Sequence, residues 1–203
     1  MLDKKVLLVV VGCLLGLAAA SARSDVVGLE FDNIGATWTA DRSMGYEFRV
    51  HAPIEITELG VYDHGSNGLQ GAHDAGLWTD TGTLLATTTI AAGTADPLVG
   101  HFRWHALDAP VALTTGQDYV VGAILVESLP NDPYSRAPQG LVMAPRISYI
   151  TARWAAATSL AYPVNTNPNI GYWGGNIMYN PIPEPAGLGL IGLALLALRK
   201  KRR

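Results

Sequence analysis

Met44-Gly45-Tyr46-Glu47-Phe48-Arg49-Val50-His51 alternates strictly between apolar residues and polar or small ones. Successive side chains on an extended strand point to opposite faces, so Met44, Tyr46, Phe48 and Val50 share one face and Gly45, Glu47, Arg49 and His51 the other. This is the pattern of an antiparallel strand with one side on a core and the other toward water. Ile54 and Ile56 continue the period after Pro53, and Leu59 and Val61 then change parity. That change predicts a β-bulge or a new strand near residues 58–60.

Outward from this stretch the same period recurs, and strands are expected over residues 75–79, 84–90, 101–107, 118–126, 147–154 and 176–179. Asp80-Thr81-Gly82 and Thr114-Thr115-Gly116-Gln117 read as turns between them. The run from Tyr119 to Val126 has no polar face and is expected to be a central strand covered on both sides. No long apolar stripe of helical period lies between the chain's two ends. The fold class that follows is all-β: a single antiparallel β-sandwich, jelly-roll-like, with an N-terminal signal helix and a C-terminal hydrophobic helix. Residues 127–145, holding Pro130, Pro133, Pro138 and Pro145, lack periodicity and read as a functional loop or a tether over one end of the sandwich. Residues 165–169 read as a second loop.

The two ends differ from the middle. Lys4 and Lys5 precede an apolar run from Val6 to Ala20, and Ala20-Ser21-Ala22 is a small-residue site for signal peptidase, so residues 1–22 read as a secretory signal peptide. Cys13, the single cysteine, follows Val10-Val11-Gly12, which leaves lipidation at Cys13 as a competing outcome. Cleavage after Ala22 removes that cysteine, and the exported domain, residues 23–180, is then held by its core and not by disulfides. At the other end, Pro181, Pro183 and Pro185 make a stiff extended segment. The 13 apolar residues from Ala186 to Leu198 follow, and then Arg199, Lys200, Lys201, Arg202 and Arg203. As a helix that run is about 20 Å long, short of a hydrocarbon core of about 30 Å. The basic cluster is expected to stay cytoplasmic, with the domain on the far side of the membrane.

Pro183-Glu184-Pro185, one apolar segment and a terminal basic cluster, in that order over residues 181–203, resemble the PEP-CTERM sorting signal that an exosortase recognises in Gram-negative, exopolysaccharide-producing bacteria. The resemblance implies transient membrane insertion, processing by exosortase, and delivery to the cell envelope or extracellular matrix. An ordinary single-pass anchor has the same topology. Separately, Leu59-Gly60-Val61-Tyr62-Asp63, Gly76-Leu77-Trp78, Gly82-Thr83-Leu84-Leu85-Ala86 and Gly116 leading into Tyr119-Val120-Val121 resemble, over residues 56–125, a DUF4082-like β-sandwich domain of exported bacterial proteins. That family has no established activity, so this resemblance implies a fold and not a reaction.

Between Arg23 and Pro185 the chain has seven arginines, no lysine and sixteen carboxylates, a net charge of −9 against −3 for all 203 residues. An acidic surface without lysine argues against nucleic acid or anionic lipid as partner. It is compatible with neutral glycans, with divalent cations, or with solubility alone.

Asp63, His64, Asn67, His73 and Asp74 form the densest set of candidate ligands. Asp63, Asn67 and Asp74 offer oxygens suited to Ca²⁺, but not in the spacing of a twelve-residue calcium loop. An Asx-rich turn, with Gly65 and Gly68 at positive φ, accounts for the same residues. His64 and His73 lack the partners of a zinc motif. His101 and His105 flank Arg103 in what reads as a solvated cluster. No nucleophile elbow or phosphate loop occurs, while paired carboxylates for glycoside hydrolysis are not decided by sequence. Trp38, Trp104, Trp154, Tyr162, Tyr172 and Trp173 are candidates for stacking on sugar rings or for the core, with Trp173 and Tyr134 as the leading pair for glycan contact. The expectation is a non-catalytic, structural or adhesive protein of the envelope or exopolysaccharide matrix. Its alternatives are a glycan or Ca²⁺-dependent ligand binder and, third, a hydrolase.

Overall fold

The structure is a computed structural model that describes residues 25–127, 132–168 and 171–183. Over these residues the chain is all-β, with one short 3₁₀ turn at His64–Ser66. Eight strands have seven residues or more: β1 (Arg42–Val50), β2 (Ile54–Tyr62), β3 (His73–Thr79), β4 (Leu84–Ile90), β5 (Phe102–Leu113), β6 (Asp118–Leu125), β7 (Ile147–Ala156) and β8 (Gly175–Pro181). One sheet runs β7-β1-β6-β3-β4, with Asn165–Asn167 beside β7. The other runs β8-β2-β5, edged by Val26–Val27 and Leu98–Val99. Every pairing among the eight is antiparallel. The chain changes sheet between β1 and β2, β2 and β3, β4 and β5, β5 and β6, and β7 and β8, so sequence neighbours lie back to back.

The alternation of β1 translates directly into packing. Met44, Tyr46, Phe48 and Val50 are fully buried, against Ile56, Leu59 and Val61 of β2 and Ile177 and Tyr179 of β8 in one core. Arg49, on the other face, is exposed and forms a two-pronged pair with Asp118, at 2.7 and 2.8 Å. β6 pairs with β1 on one side and β3 on the other, and is buried from Tyr119 to Leu125 as its apolar run requires. The parity change in β2 is a bulge. Against β8 the register shifts between Ile56 and Glu58, which face Tyr179 and Met178 and leave Thr57 as the extra residue in one continuous strand; against β5 the same step runs from Val111 to Ala106, so that four residues, Leu107 to Pro110, lie opposite Thr57. It sits just before the expected position.

Two expectations are corrected. The segment 127–145 is not an unpaired loop, because Tyr134–Arg136 and Val142–Met143 are strands. Residues 165–169 likewise include the strand Asn165–Asn167. Tyr134–Arg136 is the middle of a small ribbon, flanked by Ala36–Trp38 and Tyr172–Trp173. The ribbon is held on the large sheet by Trp173, whose ring lies 5.5 Å from Tyr46 and 5.6 Å from Tyr149. Proline limits hydrogen bonding only at its own position, so short strands form between the prolines where a facing edge supplies the partner.

The expected signal helix at residues 1–22 and hydrophobic helix at residues 186–198 lie outside the described residues, as do Glu184, Pro185 and the basic tail. Among the described residues no helix is long and apolar enough to cross a membrane. The approach to the tail is described. Ile182 donates its N–H to the Pro53 carbonyl at 3.0 Å, and Arg146 Nη1 donates to the carbonyls of both Pro53 and Ile182, at 2.8 and 3.0 Å. The chain thus leaves β8 from a fixed point.

The two sheets are joined by a polar bolt inside the core. Tyr46 of β1 donates its hydroxyl to Asn176 Oδ1 of β8 at 2.7 Å, and Asn176 Nδ2 donates to the Leu29 carbonyl at 2.8 Å. Burial pushes the Tyr46 phenol upward, so it remains a neutral donor. Removing one partner of a buried hydrogen bond strands the other. Asn176→Ala should therefore cost about 2–3 kcal/mol in urea unfolding and Tyr46→Phe about 1 kcal/mol, since Asn176 Oδ1 keeps the Ile177 N–H in the latter.

Candidate functional site

The turn that follows β2 is shaped by glycine and by one buried carboxylate. Gly65 and Gly68 have φ of 78° and 105°, a region that glycine enters without a Cβ penalty. Asp63 accepts the Gly68 N–H at 3.0 Å and Arg103 Nε at 2.7 Å through Oδ2, and its backbone carbonyl accepts the Ser66 N–H. Arg103 also donates Nη1 to the Asp96 carbonyl at 2.9 Å. Both members of this ion pair are buried, so the expected solvated cluster around Arg103 is corrected: the Asp63 carboxylate draws the guanidinium inward. His105 stays half-exposed beside Asp96, at 2.8 Å, and His101 stacks on Phe31 with ring centres 4.6 Å apart.

A second buried carboxylate fixes the rest of the turn. Asp132 accepts the Gln70 N–H on Oδ1 and the Gly71 N–H on Oδ2, both at 2.9 Å, and lies 3.0 Å from His73 Nε2. His73 Nδ1 lies 2.9 Å from the Ile124 carbonyl of β6. Both ring nitrogens thus lie at hydrogen-bond distance from an oxygen. Burial pushes the Asp132 carboxyl up, but the hydrogen bonds from His73, Gln70 and Gly71 together hold it below the ordinary carboxylate value.

The five candidate ligands are therefore dispersed. Asp63 turns in to Arg103 and His73 to Asp132, whereas Asp74 is exposed and accepts from Thr89 Oγ1 at 2.6 Å. Strand alternation in β3 alone separates His73 from Asp74. Among the described residues no group of three or more His, Cys, Asp or Glu is placed to hold a metal ion, so the expected Ca²⁺ ligands do not converge. Tyr134 and Trp173 are 4% and 2% exposed, which corrects their expected role as open stacking platforms: both rings fill the space between ribbon and core.

His64 and Asn67 remain at the surface, and there they meet the ribbon. Thr37, Trp38 and Thr39 form one wall and His64, Asn67 and Gln70 the other, with Pro133 between them, around an open groove of about 620 Å³. Trp38 is 56% exposed, on a strand that is exposed throughout. The described lining has hydroxyl, amide and imidazole groups but no carboxylate, lysine or arginine. The Arg136 guanidinium lies 5.7 Å from the Trp38 ring centre. Beneath the second wall, Tyr62 places its hydroxyl 3.2 Å from His64 Nδ1, and burial pushes that phenol up to about 12. The set can stack an apolar ring face and exchange neutral hydrogen bonds.

A family model described as a domain of unknown function, DUF4082, matches residues 33–174. The chain belongs to the DUF4082 family. The match extends well beyond residues 56–125, where the sequence itself shows the resemblance, and takes in the whole ribbon and both walls of the groove. No curated protein matches the chain.

In this DUF4082 domain, Trp38, His64 and Asn67 were among the sequence candidates, whereas Asp132, Gln70, Thr37 and Thr39 were not. The one signal for Asp132 was a carboxylate set beside Pro133 in a stretch, residues 128–135, with no other charged residue. Its protonation supplies a test. A carboxyl whose folded pKa lies below the unfolded value of 3.8 stabilises fully above that value and loses its contribution as pH falls through the folded pKa. Asp132→Asn should lower the urea midpoint at neutral pH and flatten the acid limb of a stability–pH profile, read by tryptophan fluorescence down to about pH 2.

Proposed function

We propose that this chain is an exported, envelope- or matrix-directed protein whose jelly-roll-like DUF4082 domain holds a glycan without catalysis, in an adhesive role within an exopolysaccharide or biofilm setting. The observation that carries the reading is Trp38, 56% exposed in a concave groove whose described lining has neutral hydrogen-bonding groups and one imidazole. An indole face packs on the C–H face of a pyranose, and hydroxyl and amide side chains exchange hydrogen bonds with its hydroxyl groups. The net charge of −9 between Arg23 and Pro185 favours neutral over polyanionic chains.

The address comes from the ends of the chain. A basic, apolar and small-residue N-terminus is read as a signal peptide for signal peptidase, and Pro183-Glu184-Pro185 with its apolar run and Arg199 to Arg203 as an exosortase substrate. Proline has no backbone N–H and fixes φ, so Pro183 and Pro185 in the sequence disfavour regular structure around the processing site that the resemblance implies. A short apolar segment suits transient insertion better than a lasting anchor.

Two experiments test the two halves. Trp38→Ala should weaken glycan binding on an array of neutral oligosaccharides by roughly tenfold or more while leaving the unfolding free energy from urea titration within about 0.5 kcal/mol of wild type; unchanged binding, or a flat array for the wild type, removes the glycan reading. Replacing Pro183, Glu184 and Pro185 by alanine should abolish C-terminal processing in a host that carries exosortase, seen as retention of the full-length mass in the membrane fraction. Unchanged processing makes the tail a plain anchor.

A further inference from the structure

The strand register places the groove and the exit of the chain at opposite poles of the domain. β2 fixes the axis. Ile54, its first residue, pairs with Pro181 of β8, and Tyr62, its last, leads into the turn that carries His64 and Asn67. The nine residues of β2 span about 25 Å. The large sheet is ordered the same way: Val50, at one end of β1, accepts the Gly116 N–H and pairs with Ile147, while Arg42, at the other, pairs with Leu125 of β6. Asp132 and Pro133, which follow β6, reach the turn and the groove from that second end. The strand Val26–Val27 pairs with Tyr179 and Met178, so Asp25 also points toward the exit pole.

The tether at the exit pole is short. Ile182 is fixed to Pro53 through its N–H and to Arg146 through its carbonyl, and the apolar run begins at Ala186. The chain between these two residues reaches at most about 14 Å. That is about half the length of β2, too short for the domain to turn over and bring the groove to the bilayer. Ala22, where the signal segment is read to end, is three residues from Asp25, so in the precursor both apolar segments hold the same pole. Charge opposes a domain lying flat on its side. A lysine-free surface with a net charge of −9 between Arg23 and Pro185 is repelled by anionic head groups.

We infer that, while the tail is in a membrane, the domain stands on its exit pole and holds the Trp38 groove toward the matrix. The inference rests on the reading of residues 181–203 as a membrane-inserting tail, and it fixes the side from which a glycan reaches the groove. None of the groove's described lining belongs to the tail, so the groove is open to a polymer before the tail is processed. Capture of the matrix and release from the membrane are then separate steps, carried out at the two ends of one strand.

The test uses the full-length chain with Cys13→Ser, added to liposomes of phosphatidylethanolamine and phosphatidylglycerol whose outer leaflet carries an acceptor dye. A donor dye is attached at one of two exposed positions. Ser66→Cys lies in the turn beside the groove, and Thr115→Cys in the turn at the exit pole, where Leu113 pairs with Ile54. The expected result is strong energy transfer to the lipid from position 115 and transfer at least about threefold weaker from position 66, as the distance along β2 requires. Equal transfer from both positions, or stronger transfer from position 66, overturns the inference and leaves the glycan and sorting readings standing. A chain that does not float with the liposomes overturns the reading of the tail and the inference with it.

Discussion

One carboxylate, Asp132, holds together the end of the domain on which the groove depends. It binds two successive backbone amides of the turn after β2 and the buried His73 on β3. Pro133, the next residue, lies in the groove, and Tyr134 after it pairs with Trp38. The two walls of the groove come from distant parts of the sequence, and neither has much apolar surface to bury. A charge held by three donors is what such loops can use in place of a core, because charge-assisted hydrogen bonds are stronger than neutral ones where water is excluded. Asp63 does the same one layer away, joining the start of the turn to Arg103.

The rest of the domain is stabilised differently. The facing sheets bury an apolar layer whose contribution is set by area and close packing and is indifferent to direction. Direction comes from a few polar groups within it. Asn176 satisfies Tyr46 from the opposite sheet, the Leu29 carbonyl and its neighbour's N–H together. A sheet sliding by one residue would turn such groups against apolar neighbours, so the bolt selects one register among those that the apolar surfaces alone would tolerate.

Periodic residues were legible in the sequence and convergent ones were not. The strands around Tyr46, Leu84 to Ile90 and Tyr119 to Leu125 declare themselves because alternation and burial are local consequences of strand geometry. The bulge at Thr57 is also local, and a parity change announced it. By contrast, Asp63, His73 and Asp74 look like one ligand set in sequence and are divided by the folds of the backbone, two of them toward buried partners tens of residues away. Trp173 and Trp38 are alike as letters, and only the ribbon's two edges decide that one is nearly buried and the other open. The ribbon could not be read because its strands are two or three residues long, too short for a period to show.

The ribbon also carries a consequence for time order. Its strands lie at residues 36–38, 134–136 and 172–173, so its contacts close some of the longest loops in the chain. Contacts of large sequence separation carry the loop-closure entropy of everything between them and form after the local hairpins. For a polypeptide emerging from its N-terminus, both walls of the groove, whose last residue is Pro133, and the strand that pairs with Trp38 are synthesised before β7. What arrives after β7 is Trp173, the ring that fixes the ribbon on the large sheet, so a chain interrupted before it carries the walls of the groove without their anchor.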